Sequence, residues 1–162
     1  MNRRSLLASI GGGATLLAGG IAAAVATNFS VGGETTIRTE SLSIEPGDGQ
    51  QTSVTAANVQ MVHGAMIDGP TPRSETGEYL ELIDFNAAKI SPSPGGGMDS
   101  YPPYWMWDWL QSQVKITLPV RIPSNTLPDT YRYTIQGWKS KNYGNEPTGS
   151  ADIVVTVQKG DT

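Results

Sequence analysis

The clearest hydrophobic pattern lies between Gln113 and Ile122, where apolar residues occupy every second position. These positions are Val114, Ile116, Leu118, Val120 and Ile122. Successive side chains of a strand point to opposite faces, so the segment is predicted to be a β-strand with one buried face. Pro119 has no amide proton for a ladder hydrogen bond, which favours an edge strand or a bulge at that point.

Several other segments have the composition or the alternation of strands. They are residues 35–44, 52–61, 79–85, 130–135 and 151–158. Turns rich in glycine and proline separate them, for example Pro46-Gly47-Asp48-Gly49. No segment after residue 27 has a convincing helical period, and there is no internal repeat. Short strands divided by such turns predict an all-β sandwich or barrel.

Residues 91–112 form the most unusual segment, which we predict to be a long aromatic-rich loop. It contains three of the four tryptophans, Trp105, Trp107 and Trp109, at alternate positions after Tyr104, and these four aromatic residues are the candidates for an interface or for sugar stacking. Three interpretations stay open. The rings fold over one end of the sandwich as core, they form an exposed row on which sugars stack, or they anchor a neighbouring subunit, since Trp and Tyr are enriched at interface hot spots.

The N-terminal segment has the parts of an export signal, with a basic start, an apolar middle and a small-x-small end. Arg3 and Arg4 are followed by Ser5 and then by twenty-one uncharged residues, Leu6 to Ala26, which end in Ala24-Val25-Ala26. The paired arginines followed by two leucines resemble a twin-arginine signal. We predict a signal peptide over residues 1–26, cleaved between Ala26 and Thr27. The apolar stretch is also long enough for an uncleaved membrane anchor.

Cleavage would leave a short lead over residues 27–34, flexible or the start of an exchangeable strand, and a sandwich domain over residues 35–162. Losing Arg3 and Arg4 changes 11 basic and 15 acidic residues to 9 and 15, so the net charge moves from −4 to −6. Nucleic-acid binding needs a basic patch, so no nucleic-acid partner is predicted. The chain has no cysteine and therefore no disulfide. Asn28-Phe29-Ser30 matches the N-glycosylation pattern, which makes Asn28 a glycosylation candidate.

Few residues suggest catalysis. His63 is the only histidine, and a zinc site normally needs several His or Cys ligands. No Gly-x-Ser-x-Gly elbow is present. Acids available for a carboxylate pair are Glu78, Glu81, Asp84, Asp99 and Asp108, as many as any acidic chain supplies. Oxygens of Asp48, Asp99 and Asp129 suit calcium but follow no EF-hand pattern. We therefore predict no enzyme activity, no cofactor and no assigned metal.

Two parts of the chain resemble an immunoglobulin-like β-sandwich of the bacterial and archaeal surface type. Residues 44–47 with 52–58 resemble its early turn and second strand, and residues 114–123, 128–135 and 152–157 resemble its last three strands. The signal segment is similar to those of exported archaeal proteins. The resemblance implies an immunoglobulin-like sandwich after an N-terminal signal segment, and it implies little about function because sandwiches host many tasks.

These observations predict a non-enzymatic structural subunit, extracellular or at the cell surface, that self-assembles into a filament or pilus, a layer or a viral coat. One mechanism is strand addition, in which residues 28–39 pair with the exposed sheet edge of the next subunit. The alternative is a secreted carbohydrate-binding module with Trp105, Trp107 and Trp109 as its platform. The expected partners are copies of the same chain or a polysaccharide, with membrane contact only through an uncleaved signal segment.

Overall fold

A computed structural model describes residues 33–98 and 100–160, and this part of the chain contains ten β-strands and no helix. The strands are β1 (Thr36–Thr39), β2 (Leu42–Ile44), β3 (Gly49–Ala57), β4 (Val59–Ile67), β5 (Lys89–Ser91), β6 (Gly96–Met98), β7 (Tyr104–Gln111), β8 (Val114–Arg121), β9 (Thr130–Trp138) and β10 (Gly149–Val157). The predicted all-β class is confirmed. No helix in the described ranges is long and apolar enough to cross a membrane.

Several predictions concern residues outside the described ranges. They are the signal peptide over 1–26, the cleavage site between Ala26 and Thr27, glycosylation of Asn28 and most of the lead over 27–34. The uncleaved anchor lies outside them as well. These five features therefore stay predictions.

The strands form two sheets with the order β1-β3-β8-β5 and β2-β10-β9-β4-β7-β6. All neighbours are antiparallel except β2, which runs parallel to β10. The first order corresponds to strands A, B, E and D of an immunoglobulin domain. The second corresponds to G, F, C, C′ and C″ of the variable type, with β2 added beside G. The predicted immunoglobulin-like sandwich is confirmed by this arrangement.

The core lies between the two sheets and comes mainly from alternate residues of β3, β8, β9 and β10. β8 alternates as predicted, since Val114, Ile116, Leu118 and Val120 are buried. The prediction that Pro119 marks an edge strand or a bulge is wrong, because β8 lies between β3 and β5 and its register with β3 is continuous. β5 ends before it reaches Pro119, and Asp84 donates a backbone hydrogen bond to the Pro119 carbonyl instead.

Two predicted strands are each divided between the sheets. Residues 35–44 form β1 in the first sheet and β2 in the second. Residues 52–61 belong to β3 and β4, which meet at Asn58. Asn58 has a φ of 55°, a left-handed conformation that asparagine adopts more readily than most residues. This corner carries the chain from one sheet to the other.

Two further predictions need correction. Residues 79–85 do not form a ladder strand, since they make only isolated bridges, Arg73 with Tyr79 and Ile83 with Val120. The run is nevertheless covered on both sides, because Leu82, Ile83 and Phe85 are all buried. The aromatic-rich segment over 91–112 is not one loop, because it contains β6 and all of β7. Alternation showed which side chains share a face and gave no information on hydrogen-bond partners.

Candidate functional site

The three tryptophans of β7 do not form one exposed row. Trp105 is 8% exposed and Trp107 is 3% exposed, and both belong to the core cluster between the sheets. Trp109 is 70% exposed. The indole N–H of Trp107 donates to the Pro92 carbonyl over 3.0 Å, which satisfies its polar atom within the core. The predicted sugar-stacking platform of Trp105, Trp107 and Trp109 is therefore wrong, and two of the three rings are core.

A β-bulge explains why Trp109 departs from the alternation. In the pairing of β4 with β7, Val59 is opposite Gln111 and Met61 is opposite Met106. The two-residue advance from Val59 to Met61 on β4 is therefore matched by a five-residue advance from Gln111 to Met106 on β7. Extra residues in a strand bend it and redirect its side chains. The bulge turns Trp109 out of the sandwich, although its sequence spacing places it on the same face as Trp107.

Trp109 lies at an open sheet edge. β6 pairs with β7 only from Tyr104 to Met106, and the Gly95 amide donates to the Met106 carbonyl. Beyond this point no described strand pairs with residues 109–111 on the β6 side, and we call these residues the β7 tip. The neighbouring Asp108 carboxylate contacts the Lys141 ammonium at 3.0 Å. This exposed ion pair contributes little stability by itself, but it lies next to the tip.

Tyr104, the fourth aromatic candidate, belongs to a different face. It is half-buried on the outer side of the second sheet and stacks on His63 with ring centroids 3.9 Å apart. Trp138 and Tyr143 pack against it at 6.1 Å and 5.8 Å. The indole of Trp138 donates to the Asn145 carbonyl, so the loop after β9 covers this cluster. Tyr104 therefore holds that loop in place.

His63 is buried in this cluster. Burial lowers the pKa of His63 below its ordinary value, and hydrogen bonds with the Pro102 backbone and the Gln136 side chain oppose this only in part. No group of three or more His, Asp or Glu side chains among the described residues is arranged to hold a metal ion. The single histidine is a packing residue in this structure.

The acidic candidates are dispersed. Asp108 is paired with Lys141 next to the β7 tip, and Asp99 lies outside the described residues. Glu81 and Asp84 are close enough to interact: burial raises the pKa of the Glu81 carboxyl, and the charge of Asp84 raises it further. Asp48 lies in the turn before β3 and Asp129 in the turn before β9. The calcium candidates thus belong to different turns.

An aromatic cleft that the sequence did not single out opens beside residues 79–85. It has a volume of about 230 Å³. Its lining residues are Ile67, Tyr79, Glu81, Ile83, Phe85, Tyr101, Pro102 and Tyr133. We call it the tyrosine cleft. A more polar depression of about 430 Å³ lies on the other side of the same run, bounded by Leu82, Asp84, Asn86, Pro119 and Arg121 together with Glu81.

One half of the cleft has a recognisable pattern in the sequence. Tyr79, Glu81, Ile83 and Phe85 alternate along the chain, a spacing that places their side chains on one face of an extended segment. The other half of the cleft comes from Tyr101 and Tyr133, which are far away in sequence. Only the packing of these three segments brings the tyrosines together.

Comparison with known proteins gives similarity of fold at low sequence identity. No protein-family model and no curated protein matches the sequence. CaCohA2 from Clostridium acetobutylicum is 11% identical, with a TM-score of 0.44 over 76% of this chain and 90% of that one. A non-cellulosomal cohesin from the archaeon Archaeoglobus fulgidus is 12% identical, with a TM-score of 0.39 over 78% and 94%. Self-complemented MyfA, the major subunit of Myf fimbriae from Yersinia enterocolitica, solved in complex with galactose, is 12% identical, with a TM-score of 0.36 over 78% and 98%. At these values, the fold assignment rests on the strand order of this chain.

Proposed function

We propose that this chain is a non-enzymatic, extracellular structural subunit that assembles with copies of itself into a surface filament, layer or coat, and that the β7 tip is one of its contacts. The exposure of Trp109 is the observation that carries the proposal. A tryptophan left in water forgoes roughly 2 kcal/mol or more of burial free energy. Trp105, Trp107 and Trp138 are all buried, so Trp109 is the exception among the tryptophans.

The surroundings of Trp109 suit a protein contact. The side-chain amides of Gln60 and Gln111 donate to the carbonyls of Asp108 and Trp109, so the backbone beside the ring is already held and less conformational entropy is lost when a partner covers the ring. Trp is enriched among the few residues that dominate interface energetics. The open backbone edge beside it can accept hydrogen bonds from a neighbouring chain. An exposed tryptophan beside an open sheet edge is therefore better suited to assembly with another chain than to catalysis.

Trp109→Ala tests the β7 tip as an assembly contact. We expect the exported wild-type protein to form regular particles or filaments in electron micrographs, and the variant to remain monomeric by light scattering. Thermal unfolding of the variant should agree with that of wild-type protein diluted until it is monomeric, because a substitution at so exposed a position changes stability by only about 0.5 kcal/mol.

Tyr79→Ala is the matched control for this experiment, since Tyr79 is also an exposed aromatic residue but lies in the tyrosine cleft. It should assemble like the wild type. Assembly of Trp109→Ala at wild-type concentrations would exclude the β7 tip, and a wild-type protein that stays monomeric at high concentration would overturn the structural role as a whole.

Strand addition by residues 28–39 is the mechanism that we propose for linking subunits. The described part of this segment is engaged within its own subunit, since β1 pairs with β3 from Thr36 to Thr39. The Thr35 hydroxyl also donates to the Asn58 carbonyl, and the Thr39 hydroxyl donates to the Asp152 carbonyl. Exchange would therefore require β1 to leave β3 and to make the equivalent pairing in the next subunit.

A further inference from the structure

The tyrosine cleft has an apolar base and two exposed aromatic walls. Ile83, Phe85 and Tyr133 are buried and form its inner part. Phe85 lies between Tyr101, with centroids 6.5 Å apart in an edge-on arrangement, and Tyr133, at 6.3 Å. Tyr79 and Tyr101, by contrast, are exposed at the rim. Exposed rings above an apolar base make a surface on which a flat apolar face of a ligand can pack.

Polar groups accompany the rings. The Tyr101 hydroxyl donates to the Glu81 carboxylate, so the two sides of the cleft are joined at this point. The carboxylate is an acceptor with further capacity for donors. Glu81 is exposed, and burial still raises the pKa of its carboxyl, which indicates partial loss of hydration. A ligand with hydroxyl or amino donors would replace the hydrogen bonds from water that this carboxylate has lost.

The Tyr133 hydroxyl is an unsatisfied group beneath the same cleft. Tyr133 is 4% exposed, and its hydroxyl has no hydrogen-bond partner within the described residues. Burial raises the pKa of Tyr133 well above its ordinary value, and the nearby Leu82 backbone opposes this only in part, without meeting hydrogen-bond geometry with the hydroxyl. A buried polar group without a partner costs roughly 1–3 kcal/mol. Such a group beside a cleft indicates a missing partner that both donates and accepts.

We propose that the tyrosine cleft binds a single saccharide ring. A pyranose presents a C–H face to the aromatic rings, donates hydroxyl protons to Glu81 and, after a small movement of the rim tyrosines, offers a hydroxyl to Tyr133. The volume of about 230 Å³ suits one ring, since pockets for larger, drug-sized ligands begin at roughly 300 Å³. The site is separate from the β7 tip, so this inference does not depend on assembly.

The same aromatic residues with a carboxylate also suit an organic cation, through cation–π attraction. A quaternary ammonium group has no hydrogen-bond donor or acceptor, and a primary ammonium group only donates, so neither accepts the proton of the Tyr133 hydroxyl. A saccharide satisfies both Glu81 and Tyr133. The polar groups of the cleft therefore favour the saccharide over the cation.

Saturation-transfer NMR on the full exported protein tests the proposal. The probes are the methyl glycosides of glucose, galactose, mannose and N-acetylglucosamine, with tetramethylammonium and n-butylamine as cationic probes. We expect at least one glycoside to bind. Tyr101→Ala should weaken its binding about tenfold or more, because it removes a wall and the donor to Glu81, and Tyr133→Phe should weaken it about fivefold, the equivalent of one hydrogen bond.

Tyr143→Ala is the matched control. Tyr143 is 56% exposed and Tyr101 is 51% exposed, but Tyr143 packs on Tyr104 away from the cleft. It should bind the glycoside like the wild type, and so should Trp109→Ala. Three results would each overturn the proposal: no transfer to any glycoside at saturating concentration, binding of the cations alone, or undiminished glycoside binding by Tyr101→Ala. Circular dichroism checks that every variant is folded, so that a loss of binding reports on the cleft and not on unfolding.

Discussion

The hydroxyl of Tyr131, at the start of β9, donates to the carbonyl of Leu127 over 2.7 Å. Tyr131 is buried, and its hydrogen bond reaches back four residues across the turn before the strand. This is the tyrosine corner found in many immunoglobulin-like sandwiches, where it fixes the connection that enters strand F. In a chain without disulfides, this bond and core packing hold the turn against the sheet.

Two tyrosines of β9 provide a matched pair of substitutions. Tyr131→Phe removes a buried hydrogen bond and should lower the free energy of unfolding by about 1–3 kcal/mol. Tyr133→Phe removes a hydroxyl that has no partner, so it should change stability by less than about 0.5 kcal/mol or increase it. Urea denaturation measures both. Equal losses in the two variants would show that the corner bond contributes no stability.

His63 gives the fold a dependence on pH. Its pKa is lowered by burial from 6.5, so the unfolded chain takes up a proton at higher pH than the folded chain does. Stability should therefore be lost as the pH falls below about 6.5 and through the folded pKa, and it should be unaffected by this group above that range. His63→Gln should flatten the pH profile of the unfolding midpoint near pH 6. A profile that is unchanged in the variant would assign the dependence to other groups.

At the scale of the elements, Asn58 is the corner between β3 and β4. Its φ of 55° suits asparagine or glycine, and its side-chain amide donates to the Glu34 carbonyl over 3.0 Å. An alanine in this conformation costs roughly 1–2 kcal/mol. The corner therefore combines a backbone requirement with one side-chain hydrogen bond.

Asn58→Ala and Asn58→Gly separate these two contributions. Both variants lose the bond to Glu34, worth about 1 kcal/mol, and only the alanine variant also bears the left-handed strain. We expect Asn58→Ala to be less stable than Asn58→Gly by about 1 kcal/mol in chemical denaturation. Equal stabilities would mean that the corner relaxes to an ordinary backbone conformation.

At the scale of the whole molecule, the N-terminal segment decides how subunits would be linked. Deleting residues 27–39 removes β1, which is an edge strand, and leaves β3 and β8 paired. We expect a less stable but folded monomer that no longer polymerises, as measured by electron microscopy and light scattering. Deleting residues 27–32 alone leaves β1 in place and provides the control. Polymers of the longer deletion would exclude strand exchange and leave the β7 tip as the contact.

The candidate sites were only partly accessible from the sequence. Alternation identified β8, β9 and β10, because a strand with one buried face repeats apolar residues every two positions. It also gave Trp105 and Trp107 a common face, and that face proved to be the core. The exposure of Trp109 depends on the bulge between β4 and β7, a property of pairing that one strand does not encode.

The all-β class, the positions of β8, β9 and β10 and a core without disulfides could be predicted from the sequence, because these follow from local alternation and composition. It took the folded chain to show that residues 35–44 serve both sheets, that residues 79–85 remain outside the ladders, and that Tyr79, Tyr101 and Tyr133 share one cleft. The difference comes from how far apart in sequence the interacting residues are. Side-chain periodicity is set by neighbours along the chain, whereas sheet order, bulges and clefts depend on contacts between residues that are distant in sequence.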